Sequence, residues 1–268
     1  MRGSLAVAMA VGLMPGTCSA VWAQDAGQSS AKPQAMAKDA DPDWEVATVR
    51  PSDPNDTAGQ HFRPSGRHEL MLDTTVEEFL LLGYSLQKSQ IAGLPDWAKT
   101  QKWDVDGVTT IEGQPNWPQL QVLVRKILAQ RFGLKFHHEQ RKLAVYALMV
   151  GKGGEKMTPN TSDPTGMLNQ QNDGRNGRDI EKLKNTSMQE LAEILQFRVG
   201  RPVIDRTGLK GRWDFNLQWT TDEAQLAAPN APPGIFTAIQ EQIGLKLQPV
   251  KAPADVLVVD KVERPGAN

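Results

Sequence analysis

The stretch Asn185–Trp219, NTSMQELAEILQFRVGRPVIDRTGLKGRWDFNLQW, decides the fold class of this chain. Ser187 and Glu190 have capping-box spacing, in which each side chain satisfies a free helix N–H group. Met188, Leu191, Ile194 and Leu195 then recur at helical spacing, and Gly200 can end the helix by adopting a positive φ. Val203 and Ile204 begin a short strand, and Thr207-Gly208 opens a turn that runs to Gly211. Beyond it Trp213, Phe215, Leu217 and Trp219 alternate with Arg212, Asp214, Asn216 and Gln218, the pattern of a strand with one face on a core. Helix, strand, turn, strand is a packing unit with no catalytic signature.

Working outward, the same unit recurs upstream. Thr75 and Glu78 repeat the capping box, Val76, Phe79 and Leu80 start a helix, and Trp103-Asp104 stands where Trp213-Asp214 stands later. Phe132-Gly133-Leu134-Lys135-Phe136 answers Ile243-Gly244-Leu245-Lys246-Leu247, and Gly66-Arg67 answers Gly177-Arg178. These anchors lie 110 to 112 residues apart. Helix-Gly-strand junctions are common, but the shared Trp-Asp pair argues for an internal duplication. The expected architecture is α+β, with two duplicated βαββαββ-like halves and mainly antiparallel or mixed sheets. Residues 44–150 make the first half and 179–268 the second, joined by a flexible linker at 151–178 rich in Gly, Asn and Asp. Within the halves, Pro51 to Gly66 reads as a long loop. Pro118 opens a helix striped by Leu120, Leu123, Val124, Ile127 and Leu128, and Ile235, Phe236, Ile239 and Ile243 mark its counterpart. Leu134–His138 and Leu143–Val150 read as two antiparallel strands, as do Leu245–Val250 and Val256–Val262.

Arg2, the apolar run Leu5–Met14 and Val21-Trp22-Ala23 read as an export signal over residues 1–23, cleaved after Ala23 or after Ala20. The run is shorter than the ~20 apolar residues of a membrane span. The chain is therefore expected to be secreted or periplasmic, without a transmembrane segment once mature. Residues 24–43 offer little to bury and read as a disordered spacer. Cys18, in the signal, is the one cysteine, so the mature chain has no disulfide and no thiol nucleophile. With 30 basic against 31 acidic side chains, the composition lacks the basic excess of a nucleic-acid binder.

The chemistry is sparse. His61 falls in a loop, His68 near a strand start, and His137 and His138 point to opposite faces of one strand. His137 shares a face with Glu139 but has no apparent third ligand, so neither a metal nor another cofactor is expected. Nucleophile-elbow and phosphate-loop motifs are absent. Asp104, Asp106, Asp205 and Asp214 are the carboxylates best placed for acid–base work. Asp104 and Asp214 occupy equivalent positions and could face one another across an interface. The competing reading pairs each with its strand neighbour, Lys102 or Arg212, as a structural ion pair.

Five segments carry a resemblance: WEVATVRPS, GLPDWAKTQKWDVDG, LAQRFGLKFHHEQRKLAVYALMVGKGG, GRPVIDRTGLKGRWDFNLQW and LVVDKVERP. Together they resemble the secreted soil-associated proteins of Acidobacteria and related bacteria, a family defined by a domain of unknown function. The resemblance spans nearly all of residues 44–265 and brings no catalytic residues with it. Some family members carry the domain fused to a membrane-bound sensor-peptidase, which implies a sensory ectodomain as one role. Leu191–Phe215 is also similar to the short N-terminal modules of secretins and TonB-dependent receptors, which bind other proteins in the periplasm.

The expected function is a non-enzymatic binding or interaction module with a protein or glycan partner. Its binding face would carry Arg212, Asp214, Asn216, Asp104 and Asp106. An envelope or extracellular hydrolase using the repeated carboxylates, and the sensory ectodomain, stand as alternatives.

Overall fold

The computed structural model describes residues 34–55, 59–161, 169–172, 178–220 and 232–266. The export signal at 1–23 and the spacer as far as residue 33 lie outside the described residues. So do the Gly177 anchor and parts of the expected linker. An α+β architecture is present, with helices between antiparallel and mixed sheets. The first sheet holds β1 (Trp44–Pro51), β2 (His61–Ser65), β3 (His68–Thr75) and β5 (Lys102–Thr109), antiparallel in the order β1-β5-β3-β2. Helices α1 (Val76–Tyr84), α2 (Asp96–Thr100) and α3 (Trp117–Gln130) belong to the same half. In the other half, β7 (Thr158–Asn160), β8 (Asn169–Asn172), β9 (Arg178–Thr186) and β11 (Arg212–Thr220) form an antiparallel sheet ordered β7-β11-β9-β8. Helices α4 (Met188–Val199) and α5 (Ile235–Gln242) accompany it.

Local chemistry fixes the helix starts as the spacing predicts. Thr75 accepts a hydrogen bond from the Glu78 N–H while Glu78 accepts one from the Thr75 N–H, and Ser187 and Glu190 do the same for α4. Gly200 closes α4 at φ 62°. On β11, Trp213, Phe215, Leu217 and Trp219 are buried while Asn216 is exposed.

A third sheet ties the halves together. β6 (Lys135–Val150) and β12 (Leu245–Lys261) pair antiparallel from Leu245 opposite Val150 to Lys261 opposite Lys135. On the outside of this ribbon the short strands cross over between halves. β4 (Ile91–Ala92) runs parallel to β12 at Leu257 and Val258, and β10 (Val203–Asp205) runs parallel to β6 at Tyr146 to Leu148. Residues that alternate along a strand share a face, and one face of the ribbon feeds two cores. Phe136, Leu257 and Val259 pack with α1, α3 and the first sheet. Tyr146, Leu148, Val150, Leu245 and Leu247 pack with α4, α5 and the other sheet. Each core thus takes side chains from both halves, and the chain from Pro33 onward is one compact unit.

Four expectations change. Leu134–His138 and Leu143–Val150 are parts of one strand, as are Leu245–Val250 and Val256–Val262, because nothing in Glu139–Lys142 forces a turn. Pro249 and Pro253 fit a strand whose far edge is paired only at Leu257 and Val258. The expected linker contributes β7 and β8 to a sheet rather than remaining structureless. Residues 34–43 of the expected spacer are packed: Met36 is buried, its N–H donates to the Gln114 carbonyl, and Gln119 donates to the carbonyls of Ala37 and Ala40. Lastly, His61–Ser65 of the expected loop is strand β2.

Candidate functional site

In β11, alternation sends Arg212, Asp214 and Asn216 to the face away from the buried tryptophans. Their environments differ. Arg212 reaches back to the helix start, donating from Nη2 to both Glu190 carboxyl oxygens at 3.0 Å and from Nε to the Asn185 carbonyl at 2.8 Å. Such a fork–fork pair is a fixed strut between strand and helix. Asp214 Oδ1 accepts from the Asn185 backbone N–H at 2.8 Å and from Asn160 Nδ2 at 2.7 Å. Burial raises its pKa, but the hydrogen bonds from Asn160 and Asn185 and the charge of Lys184 outweigh that and hold it below the ordinary value. Asn216 is solvent-exposed and stands opposite Lys182, which is also exposed.

The first sheet repeats this geometry. Asp104 Oδ1 accepts from the Asp73 backbone N–H at 3.1 Å and from Ser52 Oγ at 2.6 Å, and its other oxygen lies 3.5 Å from Arg50 Nε. Asp73 and Asn185, the donors in the two sheets, are both in the left-handed region, at φ 56° and 54°. Asp106 lies on the same face and pairs with His68 Nε2 at 2.5 Å. Asp205 accepts from the N–H and hydroxyl of Thr207 at 2.8 and 2.7 Å, closing the turn after β10.

Asp104 and Asp106 therefore stand on one sheet and Arg212, Asp214 and Asn216 on another, with Asp205 at the end of a third. The ion pairing expected with strand neighbours is replaced. Lys102 binds Asp73 at 2.6 Å, Arg212 binds Glu190, and the aspartates hold backbone N–H groups. An aspartate with its lone pairs engaged and its pKa lowered is ionised at neutral pH, which suits an acceptor better than a general acid.

His137 gains a neighbour that the sequence conceals. Asp260 lies 2.8 Å from Nδ1, with Glu139 3.2 Å from Nε2, and Glu139 first and Asp260 second raise the histidine pKa. Arg141 occupies the other Glu139 oxygen at 2.7 Å. Among the described residues, no group of three or more His, Cys, Asp or Glu converges as a metal site.

Sequence reading overlooked two acids. Glu69 on β3 and Glu181 on β9 are buried at 0% and 1% exposure. Their signal is parity: Glu69 alternates in phase with Met71 and Glu181 with Leu183, both core residues.

The family model described as Protein of unknown function (DUF3738) matches residues 77–262, from the first turn of α1 to just past β12. No curated protein and no solved structure matches the chain.

Proposed function

The chain belongs to the family described as Protein of unknown function (DUF3738), and within it we propose a secreted or periplasmic binding module without enzymatic activity. The observation that carries this reading is the engagement of Asp104 and Asp214. Both are committed to holding backbone N–H groups, while donors beside them remain exposed. On the outer face of β9 and β11, Lys182, Lys184 and Asn216 are exposed, and α4 and α5 pack against the opposite, apolar face. A row of donors suits a partner rich in hydroxyl or carbonyl oxygens, a glycan or a polar protein segment. Export is supported by Arg2, the run Leu5–Met14 and the small residues before the cleavage positions. Among the described residues, no helix is long and apolar enough to cross a membrane.

We also infer that the two halves arose by duplication. Capping boxes, left-handed donors and their aspartates, and buried glutamates all recur 110 to 112 residues apart. Lys142 and Pro253, 111 residues apart, are paired in the ribbon, which is where a local two-fold axis would cross it. Similarity of Leu191–Phe215 to the short modules of secretins and TonB-dependent receptors supports a partner-docking role.

The test is retention of a glycan library and of envelope extracts by the purified protein and by a Lys182→Glu, Lys184→Glu, Asn216→Ala variant. The wild type is expected to retain a ligand and the folded variant to lose it at least tenfold. Retention by neither protein, or equally by both, removes the support for this face.

A further inference from the structure

Glu69 is fully buried, and neither of its carboxyl oxygens has a hydrogen-bond partner. Its counterpart Glu181 is equally buried but is reached by Arg198 of α4, whose guanidinium also lies over the Trp219 ring, 5.6 Å from the centroid. One half answers its buried acid with a cation, and the other does not.

What stands beside Glu69 is a glycine roofed by a tryptophan. Glu69 pairs with Gly107 in the β3–β5 ladder, where Glu181 has Leu217. A Cβ at Gly107 would fall 2.6 Å from the Trp44 ring, so the indole fills the space a side chain would take. Paired residues in a sheet share a face, which sets Trp44 next to Glu69. Trp44 is only partly buried, is tethered by its Nε1–H to the Leu123 carbonyl at 2.9 Å, and sits at an irregularity in the β1–β5 ladder between Trp44 and Val46. It is the movable part of this wall.

We propose that Glu69 makes the first half proton-responsive: Trp44 closes over the carboxyl group while it is neutral and is displaced from Gly107 when it ionises. A buried anion without donors is costly, and displacement of the indole admits water to solvate it. Charged groups on the surrounding elements are engaged elsewhere. His68 faces Asp106, Arg67 binds Glu45 of β1 and Glu112, and Arg63 of β2 is exposed opposite Leu70 on the other face. On β5 and α3, Asp104 is held by Ser52, Arg125 donates to the Gly83 carbonyl, and Lys126 lies near Asp41 and Asp43. Glu77 and Glu78 of α1 are taken by Lys88 and the helix cap. Burial pushes the Glu69 pKa up to about 7, with His68 opposing the rise. Because the folded value lies above the unfolded one, stability is full below the unfolded value and declines as pH rises towards about 7.

The experiment follows thermal midpoints and amide protection of β1 between pH 5 and pH 8.5, with exchange corrected for its intrinsic pH dependence. Wild type is expected to lose roughly 5–10 °C in Tm and at least tenfold in protection at Trp44–Val49 over that range. Glu69→Gln should be flat in both readouts, and His68→Gln should keep the wild-type fall. A fall retained in Glu69→Gln, abolished in His68→Gln, or missing from the wild type overturns the proposal. Should Glu69→Gln fail to fold, carboxyl 13C titration of the wild type decides. A Glu69 midpoint near 7 that moves together with the Trp44 indole resonance supports it, and a midpoint below about 5 or an unmoved indole overturns it.

Discussion

At the scale of single residues, the recurrent Trp-Asp pair has a structural use. Asp73 and Asn185 adopt the left-handed backbone that non-glycine residues seldom take, and Asp104 and Asp214 accept from their N–H groups. Asp214→Ala strips the partner from the Asn185 N–H and from Asn160, so denaturant titration should show a loss of about 1–3 kcal/mol. The hydrolase alternative expects Asp214→Asn to abolish turnover at unchanged stability, and a substrate screen with that outcome would restore it. Because the folded pKa of Asp214 is lowered, its contribution is present above the unfolded value and fades as pH falls through the lower, folded one. Gly107→Ala collides with the Trp44 ring and should cost about 1–3 kcal/mol, seen as a shifted Trp44 indole resonance. The aspartates stood out in the sequence because Trp-Asp recurs. Their partners did not, since a left-handed φ at Asp73 and the ladder irregularity between Met71 and Thr74 leave no trace in residue types. Parity exposes Glu69 as inward-facing, but only the fold reveals that Arg198 serves Glu181 alone.

At the scale of elements, caps and alternation were legible and strand continuity was not. Thr75-x-x-Glu78 and Ser187-x-x-Glu190 form where the spacing places them, because a capping box is satisfied within four residues. The long strands were broken in reading because Glu139–Lys142 and Lys251–Asp255 interrupt the apolar pattern. Their physical reason is position: this part of the ribbon lies between the two cores, so Arg141 and Lys142 face solvent and need no apolar side chains. Continuity gives Leu148 an outsized role, since it is fully buried in the second core, opposite Leu247 of β12. Leu148→Ala should cost about 2–5 kcal/mol, readable as a lower urea midpoint at an unchanged slope. A loss below about 0.5 kcal/mol, the size of an ordinary surface change, would mean that the ribbon is not under load there.

At the scale of the whole molecule, recurrence suggested two modules on a linker, whereas the sheets interlock. β4 from the N-terminal half is completed by β12, β10 from the C-terminal half by β6, and each core includes the other half's strand. Strand exchange of this kind depends on pairings more than 100 residues apart in sequence, which neither periodicity nor composition encodes. Neither half can close its core without the partner strand, so stability should be shared between them. The same frame carries the proposed donor face on β9 and β11, and the ribbon supplies the rigidity such a face needs. The most direct test is urea unfolding followed by 19F resonances of fluorotryptophan at Trp103 and Trp213, one in each core. A shared ribbon predicts one cooperative transition with coincident midpoints, which Leu148→Ala shifts equally at both probes. Two separated midpoints, or a shift confined to Trp213, would contradict it.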